Sequence, residues 1–386
     1  MADQQRCARC GAPLQPHHGD GESCPRCLLA LGLSTGLGSR DPTPAASPAG
    51  GGLAGFPDHL GELRILDCLG VGEAGTVYLA EQAPPAQGKV ALKVVRTGLD
   101  AAEVLDRFEA EHEALTHITH PGIAKMLQTG TTEDGRAYFV MEWIRGVPIT
   151  EYCDRERLTT HRRLALFVEV CEALHRAHEV GVVHRNIKPS NVLVVEEDGK
   201  PHPKVLDLGI ARALDQRLTA ESLYSARSLL SGTPCYVPPE LMDPSGLPPE
   251  ADARSDVYSL GVLLFELLVG TPPFDARRLR QAGWAEMVRV IREEEPAPPG
   301  RRVRGLGGVA ATEVALQRGT EPRRLALELQ GDLDAIVLAT LLKDPSRRYS
   351  SVLDLATDVR RHLRHEPVSV RTLGLGARLR RFLRRS

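Results

Sequence analysis

The polar stretch His184-Arg185-Asn186-Ile187-Lys188-Pro189-Ser190-Asn191 lies between two apolar patterns, and this arrangement constrains the fold more than any other feature of the chain. On its N-terminal side, Thr159 to Val180 has the long amphipathic spacing of a helix that delivers the chain to the loop. On its C-terminal side, Asn191-Val192-Leu193-Val194-Val195 and Lys204-Val205-Leu206-Asp207-Leu208-Gly209 read as two short strands. A loop so placed has its ends fixed by a helix and a hairpin.

Upstream, Leu69-Gly70-Val71-Gly72-Glu73-Ala74-Gly75-Thr76-Val77 carries the pattern G-x-G-x-x-G-x-V. Glycines at this spacing let backbone turn sharply between two strands and lie close over phosphates. Alone, the pattern is more often a hairpin turn. Lys89 to Val95 then reads as a strand that puts Ala91 and Lys93 on one face. Val104 to Ile118 has helical spacing and carries Glu109, Glu111 and Glu113, while Tyr138 to Trp143 reads as a buried strand.

In this order, these motifs resemble the bacterial members of the eukaryotic-type Ser/Thr protein kinases, over roughly residues 60 to 364. The resemblance implies an α+β, two-lobed protein-kinase-like fold with a small β-rich N-lobe and a larger helical C-lobe. It places ATP between the lobes, with Leu69, Gly70, Gly72, Gly75, Val77, Ala91, Met141, Glu142 and Leu193 around the nucleotide. Met141 takes the gatekeeper position, and the backbone from Glu142 to Ile144 takes the adenine edge. Lys93 is implied to pair with the α- and β-phosphates and with Glu111, while Asn191 and Asp207, the latter in a D-L-G form of D-F-G, are the implied magnesium ligands. Lys188 and Thr233 complete the implied catalytic set. Glu240 of a P-P-E motif is implied to pair with Arg348, and Asp256 to hold the backbone of the 184–191 loop. Ala211 to Ser231 matches an activation loop, in which Thr219, Ser222, Ser225 and Ser228 are the candidate acceptors of a phosphate that Arg185 would receive.

One position departs from the family. Asn186 stands where H-R-D-x-x-x-x-N has its Asp, the group that takes the proton of the substrate hydroxyl. An amide can accept a hydrogen bond there, but it cannot take the proton. A general base contributes ~10² to 10⁴ in rate, or ~3 to 5 kcal/mol of barrier. The expectation is a Ser/Thr kinase-like protein that binds Mg-ATP with weak transfer to protein substrates; the alternative is a pseudokinase serving as an ATP-binding signalling scaffold or switch. A third reading, a nucleic-acid binder with a kinase-like body, rests on the two ends of the chain.

The N-terminal end carries Cys7-x-x-Cys10 and Cys24-x-x-Cys27. Two such turns supply the four thiolates of a closed, structural zinc site, the other readings being redox pairs or incidental thiols. His17 and His18 lie between the pairs and are read as exposed. The eight cysteines of the chain have no secretion signal before them, which favours free thiols and metal ligation over disulfides. The division reads 1–33 zinc-ribbon-like segment, 34–59 flexible Gly/Pro-rich linker, 60–364 kinase domain and 365–386 basic tail. Residues 293–322, charged and rich in Pro, Gly and Arg, read as a surface insert.

In the tail, Leu375, Leu379, Phe382 and Leu383 recur at helical spacing among Arg371, Arg378, Arg380, Arg381, Arg384 and Arg385. Such a helix could touch anionic lipid, with a solvated or docked terminus as the alternative. The formal net charge of −2 gives no case for nucleic-acid binding by the whole chain. With no run of ~18 apolar residues, the expectation is a soluble, cytoplasmic protein whose partner is a protein substrate or signalling partner.

Overall fold

The computed structural model describes residues 58–72, 75–83, 88–96, 100–106, 108, 119–210, 234–242 and 252–370. All belong to the compact unit Gly55–Ser386. The four paired cysteines, Glu111, the activation segment through Thr233 and the residues beyond Val370 lie outside the described residues.

Six strands make an antiparallel sheet in the order β1-β2-β3-β4-β6-β5. They are β1 His59–Leu60, β2 Leu63–Val71, β3 Gly75–Gln82, β4 Gly88–Val95, β5 Met126–Thr131 and β6 Ala137–Glu142. The β4 side chains from Val90 to Val95 are all buried, which explains a near-continuous apolar run in place of a half-buried alternation. Residues 101–106 are helical and pack Ala101 and Val104 into the core of this lobe, where Phe108 meets Phe139 edge to face at 4.9 Å between ring centroids.

A smaller sheet, β7 Val147–Pro148, β8 Val192–Glu197 and β9 Lys200–Val205, lies at the start of the second lobe. The described helices of that lobe are α1 Ile149–Arg155, α2 Thr160–Glu179, α3 Ala253–Val269, α4 Ala276–Gln281, α5 Trp284–Glu293, α6 Pro299–Arg304, α7 Gly308–Leu316, α8 Pro322–Leu329, α9 Asp332–Thr340 and α10 Val352–Leu363. Helix α2 starts where its sequence says: the Thr159 side chain accepts from the Arg162 amide as N-cap. Helix α3 is buried almost throughout and forms the axis of the lobe. Gly261 lets α9 approach it, since a Cβ there would lie 1.9 Å from Thr340 Oγ1. Cys68, Cys153, Cys171 and Cys235 carry free thiols. Among the described residues, no helix is long and apolar enough to cross a membrane.

The surface insert expected over 293–322 is corrected. This segment forms α6 and α7 and buries Pro299, Gly300, Val303, Ala311, Ala315 and Arg318. Arg318 is 1% exposed and its guanidinium donates to the carbonyls of Leu268 at 2.6 Å, Leu267 at 2.9 Å and Val314 at 3.0 Å. From α2, the equally buried Arg163 adds a 3.2 Å bond to Leu267 and pairs with Asp154 at 2.7 Å. Two cations thus satisfy the last carbonyls of α3, where the helix dipole is negative. Burial, followed by the like charge of Arg163, pushes the Arg318 guanidinium down to about 9, so it remains charged at neutral pH.

Residues 365–370 fold back against α10 and bury Val368.

Candidate active site between the lobes

The ladder of the first lobe sets the upper wall of the cleft. Val77 is registered with Lys93 on β3 and β4, and Ala91 with Met141 on β4 and β6. Ala91 and Met141 are buried in one cluster with Val77 packed against it, so the three side chains expected near an adenine come together. In the glycine-rich turn, the Gly72 amide donates to the Gly75 carbonyl at 2.8 Å, and the Gly75 amide reaches the Gly72 carbonyl at 3.3 Å. Gly75 has φ +148°, and a Cβ there would lie 2.0 Å from the Val94 carbonyl oxygen, so this backbone position admits glycine alone. Leu69 and Val71 on the same turn are exposed, at 48% and 80%.

The strand exit at Glu142 is held firmly. Its amide donates to the Lys125 carbonyl at 2.8 Å, and its carboxylate accepts from Lys204 Nζ at 3.1 Å and from the Lys125 amide at 3.2 Å. The Glu142 N–H is therefore spent within the protein, and any base edge has to be read by other backbone groups of this segment. Leu193 lies on β8, half-buried, across from Pro148.

The 184–191 loop is organised by backbone groups. Asp256, fully buried at the start of α3, accepts from the amides of His184 and Arg185, each at 2.8 Å, and pairs with His178 Nε2 at 2.8 Å. Burial alone would raise this carboxyl, but the His178 and His184 contacts overcome it and hold it below the ordinary range. His184 Nε2 lies 2.9 Å from the Leu206 carbonyl, the Leu206 amide donates to the Asn191 carbonyl at 2.9 Å, and Asn191 Nδ2 donates to the Asn186 carbonyl at 2.9 Å. The Asn186 amide reaches His184 Nδ1 at 3.3 Å. Position 186 thus sits in a frame closed from both sides.

Lys93 crosses the cleft to Asp207, Nζ to Oδ2 at 2.5 Å. Asp207 has φ +59°, an uncommon conformation for a side-chain-bearing residue. Its burial is outweighed by the charge and hydrogen bond of Lys93, then by His184 and Lys188, and the carboxyl is held below the usual range. The expected partner Glu111 lies outside the described residues, so the ion pair seen for Lys93 is the one with Asp207.

The donor set fits magnesium chemically. Asp207 supplies an ionised carboxylate, and the Asn191 amide has its Nδ2 end turned to the loop, which leaves its oxygen as the acceptor end.

Below the loop, Arg348 grips Glu240 with both ends of its guanidinium, at 2.8 and 2.7 Å, and Ser255 Oγ donates to the same carboxylate at 2.9 Å. The Tyr236 hydroxyl donates to Glu266 at 2.6 Å, and the Tyr236 carbonyl accepts from Ser259. Glu266 and Ser259, on α3, were not singled out in the sequence, because the Tyr236 that joins them is distant along the chain.

The protein kinase domain family model matches residues 63–363. PknB of Mycobacterium tuberculosis, a serine/threonine-protein kinase, is 31% identical over 318 residues, which cover 81% of this chain and 44% of that protein. Pkn1 of Myxococcus xanthus, also named a serine/threonine-protein kinase, is 30% identical over 348 residues, 90% of this chain and 44% of the relative. The chain thus spans less than half the length of these relatives. The crystal structure of the M. tuberculosis PknI kinase domain superposes with a TM-score of 0.54 at 23% identity, over 79% of this chain and 97% of that one, and shows the shared fold. The match over 63–363, on a β-sheet lobe and a helical lobe enclosing this cleft, places the chain in the protein kinase family, with bacterial Ser/Thr kinases as its relatives.

Proposed function

We propose that the chain binds Mg-ATP in this cleft and transfers the γ-phosphoryl group to protein Ser/Thr hydroxyls weakly. The observation that carries this is Asn186 itself, held by His184 and Asn191 in the loop frame but bearing an amide where a base is needed. Its oxygen can orient a hydroxyl; it cannot accept the proton or place negative charge beside the attacking oxygen. Lys93 would exchange Asp207 for phosphate oxygens when nucleotide enters, freeing the carboxylate that is already ionised. Ala91, Val77, Met141 and Leu193 would cover the base, Leu69 would close over it, and Gly70, Gly72 and Gly75 would bring backbone N–H groups near the phosphates. Lys188 would face the transferred group. Magnesium, held by Asn191 and Asp207, would supply charge neutralisation. Glu111 and Thr233 keep the roles that the family motif gives them.

The test measures binding and transfer on the same preparation. Saturable Mg-ATP binding by calorimetry, with transfer to a generic basic protein near background, is the expected pair of results. No binding, or transfer at ~1 to 100 s⁻¹ as in ordinary kinases, contradicts the reading. A protein that binds but transfers nothing at all would be the pseudokinase form, an ATP-dependent switch or scaffold, which the same Asn186 favours.

From spacing alone, Cys7, Cys10, Cys24 and Cys27 are proposed to hold one structural zinc. A short segment of this kind has too little apolar surface for a core, so metal binding would supply its folding free energy.

A further inference from the structure

The last described residues are held by an unusual concentration of hydrogen bonds on one side chain. Asp358 lies on α10 and is fully buried. Its Oδ1 accepts from the Ser369 amide at 2.9 Å and from Arg361 at 3.1 Å. Its Oδ2 accepts from the Ser369 amide at 3.0 Å, Ser369 Oγ at 2.7 Å, the Tyr349 hydroxyl at 3.0 Å and the Val370 amide at 3.3 Å. Two of these donors, the amides of Ser369 and Val370, open a helical segment, so the carboxylate acts as an N-cap supplied from another helix.

The chain reaches this position by a tight reversal. At the end of α10, the His365 amide donates to the His362 carbonyl at 3.0 Å and the Glu366 amide to the Arg361 carbonyl at 2.8 Å, with His365 at φ +58°. This is a Schellman turn with histidine where glycine is usual, an unfavourable left-handed conformation for a residue that carries a side chain. Pro367 follows, and Val368 inserts into the core at 2% exposure. The strap therefore returns against α10 despite an unfavourable turn residue, and Val368 burial and the Asp358 cluster offset the turn.

We infer that residues 365–370 form a charge-gated latch, closed by the ionised carboxylate of Asp358 on Ser369 and Val370, that fixes where the basic tail leaves the lobe. The gate follows from the donor set. Each of these groups donates to Asp358, so neutralising the carboxylate removes acceptor strength. Negative charge at Ser369 would replace a 2.7 Å donor by a like charge beside a buried anion. Either change opens the strap while the α2 and α3 core, which makes no use of these bonds, stays folded.

The experiment is amide hydrogen exchange on the full chain for wild type, Asp358→Asn, Ser369→Glu and Ser369→Ala, with trypsin cleavage at Arg371 as a second readout. The latch predicts that the amides of Ser369 and Val370 exchange at least ~10-fold faster in Asp358→Asn and Ser369→Glu. It predicts unchanged exchange in α2 and α3, and a smaller effect in Ser369→Ala, which loses one donor and adds no charge. Wild-type protection of these amides in Ser369→Glu would overturn the proposal. So would equal acceleration in Ser369→Ala and Ser369→Glu, or acceleration only in step with α2 and α3. Should Asp358→Asn fail to fold, the two Ser369 variants still decide.

Discussion

Replacing Asp256 tests how the helical core fixes the loop that carries position 186. In the native protein this fully buried carboxylate serves two backbone amides and His178 Nε2, all at 2.8 Å. Asp256→Asn keeps one acceptor oxygen, so one loop amide faces an NH₂ group and is left without a partner. A buried donor in that condition costs ~1 to 3 kcal/mol, and each hydrogen bond that loses its charged partner gives up part of ~1.5 to 3 kcal/mol. We expect ~3 kcal/mol for Asp256→Asn and ~3 to 5 kcal/mol for Asp256→Ala, the range for breaking a buried charged network. For a body of this size the melting temperature should fall by roughly 5 to 10 °C. Thermal and urea melts monitored by circular dichroism measure it. Because the folded carboxyl sits below its ordinary range, its contribution is present above the unfolded value of ~4 and is lost as pH falls through the folded one. The wild-type and Asp256→Asn stabilities should therefore converge below about pH 4. A loss under ~1 kcal/mol at neutral pH, against the range expected for a buried network, would refute the reasoning, as would a difference that does not narrow in acid.

Three further outcomes are expected. Millimolar Mg-ATP should raise the melting temperature of the wild type through mass action, and Lys93→Met should abolish the rise; no rise in the wild type would remove the nucleotide site. Arg318→Met should cost ~2 to 4 kcal/mol in urea melts, because the Leu267 and Leu268 carbonyls lose their donor; a neutral or stabilising result would show that relief of repulsion from Arg163 wins. Elemental analysis of protein purified without chelator should find one zinc per chain, and Cys7→Ser with Cys24→Ser should remove it; a metal-free wild type would end the four-cysteine proposal.

Much of the cleft was legible because local pattern and chemistry coincide there. The strand period put Ala91 and Lys93 in place, the polar loop announced itself between a helix and a hairpin, and Asp256 and Glu240 took the partners that the family motifs imply. What escaped are groups defined by distant partners. Arg163 and Arg318 have no local signal in the sequence, and they are buried because α3 ends in carbonyls that need donors. The segment 293–322 looked like surface because, Val303 apart, the buried positions named above are Pro, Gly, Ala or Arg, and periodicity counts only large apolar side chains. Asp358 had a signal that went unused: it lies three residues after Leu355, on the flank of the buried face formed by Val352, Leu355, Ala356 and Val359. The Lys93–Asp207 pair joins groups 114 residues apart and follows from no local rule.

The central claim is that Asn186 limits an otherwise complete apparatus, and phosphotransfer by Asn186→Asp tests it most directly. With labelled ATP, magnesium and a generic basic protein, the variant should exceed the wild type by ~10² or more at unchanged Mg-ATP affinity, and Asn186→Asp combined with Lys93→Met should return to background. A revertant that binds Mg-ATP yet transfers no faster than the wild type would contradict the account.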